Sequence, residues 1–252
     1  MTPILLTAVP LLSVHLLIPV RVEEWRTPFS REVWLRALFK GAISYVLAGQ
    51  LQAWFLPVFV VLLHILLTGL QRVVRTGSRL LGVLIVELGG AFLLIAFSIF
   101  LLRSGAFVAP VWMHMLGRAY PRLIMHLLGI LTTVGLGSRV VGAAVEPLQV
   151  QLTAQRRALE EAGSPAPDGF VDGGRIIGML ERALLYVLVM LDQTAAVGFL
   201  IAAKSVFRIG EISEKGNRME AEYILIGTLW SFLFALVVAS IIRWLLVRWS
   251  GG

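Results

Sequence analysis

Apolar runs long enough to cross a bilayer recur along most of this chain, and no other feature limits its fold so sharply. A helix needs roughly 20 such residues to cross the hydrocarbon core, where every backbone polar group must be satisfied within the segment. The runs lie at 2–20, 51–70, 79–102, 122–145, 177–203 and 221–246. A seventh, 34–49, is shorter and carries Lys40. It spans, or it forms half of a tight hairpin with 51–70 that turns near Gly49 and Gln50. The pattern predicts an all-α fold, a polytopic transmembrane bundle of six or seven spanning helices.

Composition excludes the soluble alternatives. Of the 252 residues, 58% are hydrophobic and 15% charged, and the mean hydropathy is +0.86. Soluble domains average about 25% charged. A water-soluble enzyme, a nucleic-acid-binding domain and a disordered tail are therefore set aside. There is no cysteine, and so no disulfide framework, thiolate metal site or cysteine nucleophile. No Lys or Arg precedes the first run. It lacks the basic start of a signal peptide and reads as a retained first helix.

Lys and Arg total 22 against 15 Asp and Glu, a net charge of +7. In a membrane chain this reads as positive loops at the cytoplasmic leaflet, not as a nucleic-acid patch. With seven spans, fifteen cations fall on one side, Arg72, Arg156, Arg157 and Arg243 among them, and seven on the other. The expected orientation is N-terminus outside and C-terminus in the cytoplasm.

One long polar stretch, 149–176, interrupts the apolar pattern. It opens as a helix-like piece over 151–162, where Arg156 and Arg157 stand four residues before Glu160 and Glu161. Gly163-Ser164-Pro165-Ala166-Pro167-Asp168-Gly169 then breaks it. The expected organisation is an N-terminal transmembrane part over 1–148 with about five segments, a cytoplasmic linker over 149–176, and a C-terminal transmembrane hairpin over 177–252.

Ionisable residues within a spanning helix are costly and mark function by default. Those here are His15, Lys40, His64, Glu87, His126, Glu181 and Asp192. Lys40 is near enough to an end to snorkel, Glu181 and Arg182 sit near a boundary, and His15 and His126 read as packing residues. Asp192 stands near the middle of 177–203. Glu181 and Asp192, eleven residues apart, differ by about 20° around a helix and share a face. Glu87 shares a face with Ala91 and Ser98, and His64 with Thr68. These faces line a hydrated path for cations or protons, or they form a buried polar cluster that fixes the bundle.

Small residues recur every four positions on two helices: Thr194, Gly198 and Ala202 on 177–203, and Gly227, Ser231, Ala235 and Ala239 on 221–246. Such faces allow close helix approach in lipid. The two helices are expected to pack as an antiparallel hairpin, with Asp192, about 160° from Thr194, turned away from the seam.

The sequence contains no HExxH, GxSxG or phosphate-loop motif, so an enzyme is not expected. His64 and Glu87 are too few ligands for a metal site, and no metal or cofactor is expected. Most of the seven Trp lie near run ends, as interfacial anchors do.

The segment 181–231 carries Glu181-Arg182-Ala183-Leu184, Gly198-Phe199-Leu200-Ile201-Ala202-Ala203-Lys204-Ser205, Arg208, Gly210-Glu211, and Glu222-Tyr223-Ile224-Leu225-Ile226-Gly227-Thr228-Leu229-Trp230-Ser231. It resembles the C-terminal half of a bacterial polytopic membrane-protein family known as domain of unknown function 3307. The resemblance implies a bacterial inner-membrane protein and no particular activity. Members often pair His with Asp near their first helices. Here His15 is followed by Leu16-Leu17-Ile18-Pro19, and Thr68 stands where an acid is expected after His64. Within the matched segment, Lys204 or Arg208 is placed to pair with Glu222 or Glu211 and clamp the hairpin. The polar loop 208–220 could alternatively receive a ligand or partner.

These features lead to a first expectation of a homo-oligomeric channel or pore-like effector in the lipid bilayer, gated through its polar loops by a cytoplasmic partner or small ligand. Its polar lining would be Asp192, Glu181, Glu87 and His64. The alternatives are a non-conducting membrane scaffold or signalling partner, and then a transporter or intramembrane enzyme. No direct nucleic-acid binding is expected.

Overall fold

A computed structural model describes residues 3–19, 30–50, 52–73, 79–161, 173–215 and 218–250. Among the described residues the fold is all-helical, with no strand. The helices are α1 (Pro3–Leu17), α2 (Arg31–Ala48), α3 (Phe55–Val73), α4 (Arg79–Arg103), α5 (Val111–Leu116), α6 (Ala119–Ile130), α7 (Gly137–Glu161), α8 (Gly173–Met190), α9 (Thr194–Lys215) and α10 (Arg218–Ser250). A π-helical stretch, Leu131–Leu136, precedes α7.

Three helical runs are long and apolar enough to cross a membrane: Leu80–Arg103, Ala119–Gln155 and Met219–Arg248, of 24, 37 and 30 residues. Pro3–Leu17, Phe55–Leu70 and Thr194–Lys204 are apolar but shorter. On α4, Leu88, Phe92 and Phe100 are exposed. A contiguous apolar face of this kind is poorly tolerated by water and suits lipid.

The chain divides into two compact units, Met1–Leu131 with Leu246–Gly252, and Thr132–Leu245. In the first, α1 packs against α2, α4 and α6, α2 against α3, and α3 against α4. Burial of α1 follows from this: Thr7, Ala8, Val9, Pro10, Leu11, Ser13, Val14 and His15 are all buried. The apolar core around it includes Leu11, Leu56, Leu63, Leu67, Val86 and Leu94. Phe59 stacks on Phe97 with ring centroids 3.6 Å apart.

Local chemistry fixes the ends of α2. Ser30 caps its start, its hydroxyl accepting from Val33 N–H at 3.4 Å. Gly49 ends it in the left-handed region at φ 62°, its N–H donating to Tyr45 and Val46 carbonyls. A Cβ on Gly49 would also collide with the Trp112 indole, whose Nε1 donates to Val46 O at 2.7 Å. Beyond the turn, Gln50 Nε2 donates to Thr7 Oγ1 at 3.0 Å and ties the connection to α1. At Gly41 a Cβ would stand 2.8 Å from Val61 Cγ2, so α2 and α3 approach closely there.

In the second unit, α8, α9 and α10 share a core of Leu185, Val197, Phe232 and Ala235, flanked by Leu188, Leu200, Ile201 and Leu236. The run 177–203, expected as one helix, is two. After Met190 the chain turns at Leu191 and Asp192. Gln193 N–H donates to Leu188 O at 2.9 Å and Asp192 N–H to Val189 O at 3.2 Å. These are the paired bonds of a Schellman cap, with Asp192 at φ 59° in the position usually held by glycine. Asp reaches this conformation more readily than most residues because its short polar side chain bonds locally. The run was expected to be continuous because nothing but Asp192 and Gln193 interrupts its apolar pattern.

The helix-like piece expected over 151–162 belongs to α7, which runs to Glu161 and crosses position 148 without a break. The Gly-Pro stretch 163–169 lies outside the described residues. The region 208–220, expected as a loop, is helical through Lys215 and again from Arg218.

Candidate functional site

Four helices of the first unit each direct an ionisable side chain inward: His15 on α1, Lys40 on α2, His64 on α3 and Glu87 on α4. Their exposures are 1%, 2%, 0% and 6%. The helical repeat places them there. On α4, Glu87, Gly90, Leu94, Ser98 and Leu101 recur at three- and four-residue steps and are all buried. On α3, His64 and Thr68 share the buried face with Leu63 and Leu67.

Hydroxyls within this interior are satisfied by their own helices. Ser13 donates to Val9 O at 2.9 Å, Ser44 to Gly41 O at 2.7 Å, Thr68 to His64 O at 2.7 Å and Ser98 to Leu94 O at 2.8 Å. The ionisable groups turn to one another. Lys40 Nζ lies 3.1 Å from His15 Nδ1, and His15 Nε2 lies 3.4 Å from Glu87 Oε2. An ammonium has donors and no acceptor. With Lys40 charged, this contact assigns Nδ1 as the acceptor and the imidazole proton to Nε2, on the side of the carboxyl group. The result is a run of three side chains across α2, α1 and α4, an amine at one end, a carboxyl at the other and an imidazole between, with the His15–Glu87 approach at ion-pair distance and not a hydrogen bond. His64 is close enough to Lys40 to feel its charge.

Gly90 makes this approach possible. A Cβ there would stand 2.6 Å from both Cε1 and Nε2 of His15 and 2.9 Å from Leu67 Cδ1. The ring lies directly against the α4 backbone, one turn from Glu87.

The sequence-predicted polar residues thus separate. Glu87 and His64 lie in the buried interior of the first unit. Lys40, expected to snorkel, is buried instead, because its ammonium meets His15 where α1 packs on α2. Neither Lys40 as a partner of His15 nor Gly90 as its seat is legible from the helices taken singly. Lys40 is the only Lys in its run, and it gave the available signal. His126 is exposed.

Glu181 and Asp192 lie in the second unit and are both ion-paired. Glu181 pairs with Lys204, whose ammonium also stands 5.0 Å over the Phe232 ring. Asp192 Oδ1 lies 2.5 Å from Arg243 Nη1. The clamp expected between Lys204 and Glu222 or Glu211 has Glu181 as its described partner. Glu222 is exposed, and the side chains of Arg208 and Glu211 lie outside the described residues.

Of the two small-residue faces, Ser231, Ala235 and Ala239 are buried and Gly227 is half-buried. Thr194, Gly198 and Ala202 are exposed, and a Cβ on Gly198 would meet nothing within 4 Å. This departs from the expected seam for a physical reason. Val197, Leu200 and Ile201 bury more apolar area against Phe232 and Ala235 than the small face could. Ser231 has a polar role besides. Arg182, 3% exposed, donates from Nη1 to Ser231 Oγ at 2.8 Å and from Nη2 to Ser138 Oγ at 2.5 Å. Ser138 in turn donates to Val134 O at 2.7 Å. Arg182, expected at a membrane boundary, ties α7, α8 and α10 together.

Among the described residues no group of three or more His, Asp or Glu is arranged to hold a metal ion. No protein-family model matches this chain, and no curated protein or solved structure matches it.

Proposed function

We propose that this chain is an ion-conducting membrane protein of channel type, and that conduction runs through the buried chain Lys40–His15–Glu87. The observation that carries this reading is the burial of three ionisable groups, contributed by three helices and in contact end to end. Intramembrane groups of this kind commonly mark ion or proton paths. Asp192 and Glu181 are less suited to the role, since each already meets a cation. The shorter apolar helices complete six or seven spans of a multi-pass protein in a bacterial inner membrane, with the N-terminus outside and the C-terminus in the cytoplasm. The resemblance over 181–231 supports that location. Homo-oligomerisation, and gating by a cytoplasmic partner or small ligand, belong to the same proposal.

The test is ion flux from liposomes holding the purified full chain, with Glu87→Gln and Asp192→Asn compared. Flux that falls in Glu87→Gln and persists in Asp192→Asn supports the reading. Folded, inserted protein that passes no ion under any imposed potential or pH gradient overturns it. The function would then be that of a membrane scaffold, to which the Arg182 link across three helices is also suited.

A further inference from the structure

The order of donors and acceptors in the buried chain deepens the conducting reading, on which this inference rests. Lys40 Nζ faces Nδ1 of His15, and the opposite ring nitrogen faces Glu87 Oε2. An imidazole is the side chain that can take a proton on one nitrogen while giving one up from the other. We propose that the conducted species is the proton, and that it crosses from α2 to α4 through the His15 ring.

The step balances. The Nζ–H bond of Lys40 breaks and an Nδ1–H bond forms on His15. The Nε2–H bond of His15 breaks and an O–H bond forms on Glu87. Lys40 and Glu87 end neutral, and the ring ends neutral as its other tautomer. No charge stays on the ring, and the charge separation across the interior is removed. In a low-dielectric interior that removal lowers the desolvation cost of the two charged ends. Net transport follows when Glu87 gives its proton to water, Lys40 takes one up, and the ring turns over to restore its tautomer.

The groups surrounding His15 come from every helix packed against α1, and from α3 beyond them. Lys40 is on α2, with Arg36 one turn earlier on the same helix. Glu87 is on α4. On α6, Tyr120 donates to Leu47 O at 2.7 Å, and Arg122 and His126 are exposed. From α3, His64 is close enough to interact electrostatically with Lys40, His15 and Arg36. Lys40 stands at one nitrogen of the ring and Glu87 at the other.

The experiment uses the full chain in liposomes, with a potassium diffusion potential and an internal pH dye, and compares proton flux with sodium and potassium flux. Three variants keep a polar side chain of similar reach but cannot pass the proton: His15→Gln, Lys40→Arg and Glu87→Gln. Each is expected to lower proton flux roughly a hundredfold, the scale of a lost acid–base group. Proton flux unchanged in variants that fold overturns the relay. Sodium or potassium flux that is insensitive to His15→Gln overturns the relay and leaves conduction standing, whereas no flux of any ion overturns both. Should the variants fail to fold, nitrogen NMR of His15 in the native chain decides. The relay requires a neutral ring with its resting proton on Nε2. A ring doubly protonated throughout about pH 5 to 8 contradicts it.

Discussion

The imidazole of His15 reaches Glu87, 3.4 Å away, across a position on α4 where the side chain is a single hydrogen. A Cβ on Gly90 would occupy space 2.6 Å from the ring. The neighbouring Gly89 differs: a Cβ there would meet nothing within 4 Å. Two adjacent glycines on one helix therefore make opposite predictions. Gly90→Ala should destabilise the protein by about 1–3 kcal/mol through overpacking and separate His15 from Glu87. Gly89→Ala should be neutral or stabilising by up to about 1 kcal/mol, because Ala is the better helix former. Thermal unfolding of both variants in detergent checks the pair. Equal melting temperatures would contradict the close approach.

Arg182 should not be replaceable by lysine. Its two terminal nitrogens donate separately to Ser231 and Ser138, and an ammonium cannot reproduce that fork. Hydrogen bonds to a charged group contribute about 1.5–3 kcal/mol each. Arg182→Lys should lower stability by roughly 2 kcal/mol and Arg182→Ala by more, measured by unfolding in detergent. If Arg182→Lys unfolds like the native chain, the fork does not hold the three helices.

The break between α8 and α9 depends on backbone conformation more than on the ion pair beside it. Asp192 adopts φ 59° and is exposed. Asp192→Gly should keep the break with little loss of stability, since an exposed ion pair contributes little. Asp192→Val should lower the melting temperature further, since a branched residue resists the left-handed region. Equal loss in the two, since both remove the carboxylate, would show that the Arg243 contact dominates.

How far the sequence could be read varies by element. Apolar runs announce α4 and the greater part of α10 directly, because length and hydropathy are local properties. The ring of polar groups is legible only as separate residues. His64 and Glu87 can be named from their runs, yet the contacts of His15 with Lys40 and Glu87 depend on which helices meet. Lys40 illustrates the limit: alone it can extend to water, but α1 places an acceptor 3.1 Å from its ammonium. Thr194, Gly198 and Ala202 illustrate another. Their spacing is regular, but burial goes to the bulkier Val197, Leu200 and Ile201 beside them. The Schellman turn at Asp192 was hidden because its ending uses Asp in place of glycine.

The most direct measurement is proton flux through His15→Gln in liposomes, read beside the native chain at matched insertion and stability. Glutamine can still donate to Glu87 and accept from Lys40, so a purely structural cluster should tolerate it. The account predicts a roughly hundredfold loss of proton flux with the fold retained. Native-level flux in a folded His15→Gln protein would contradict it.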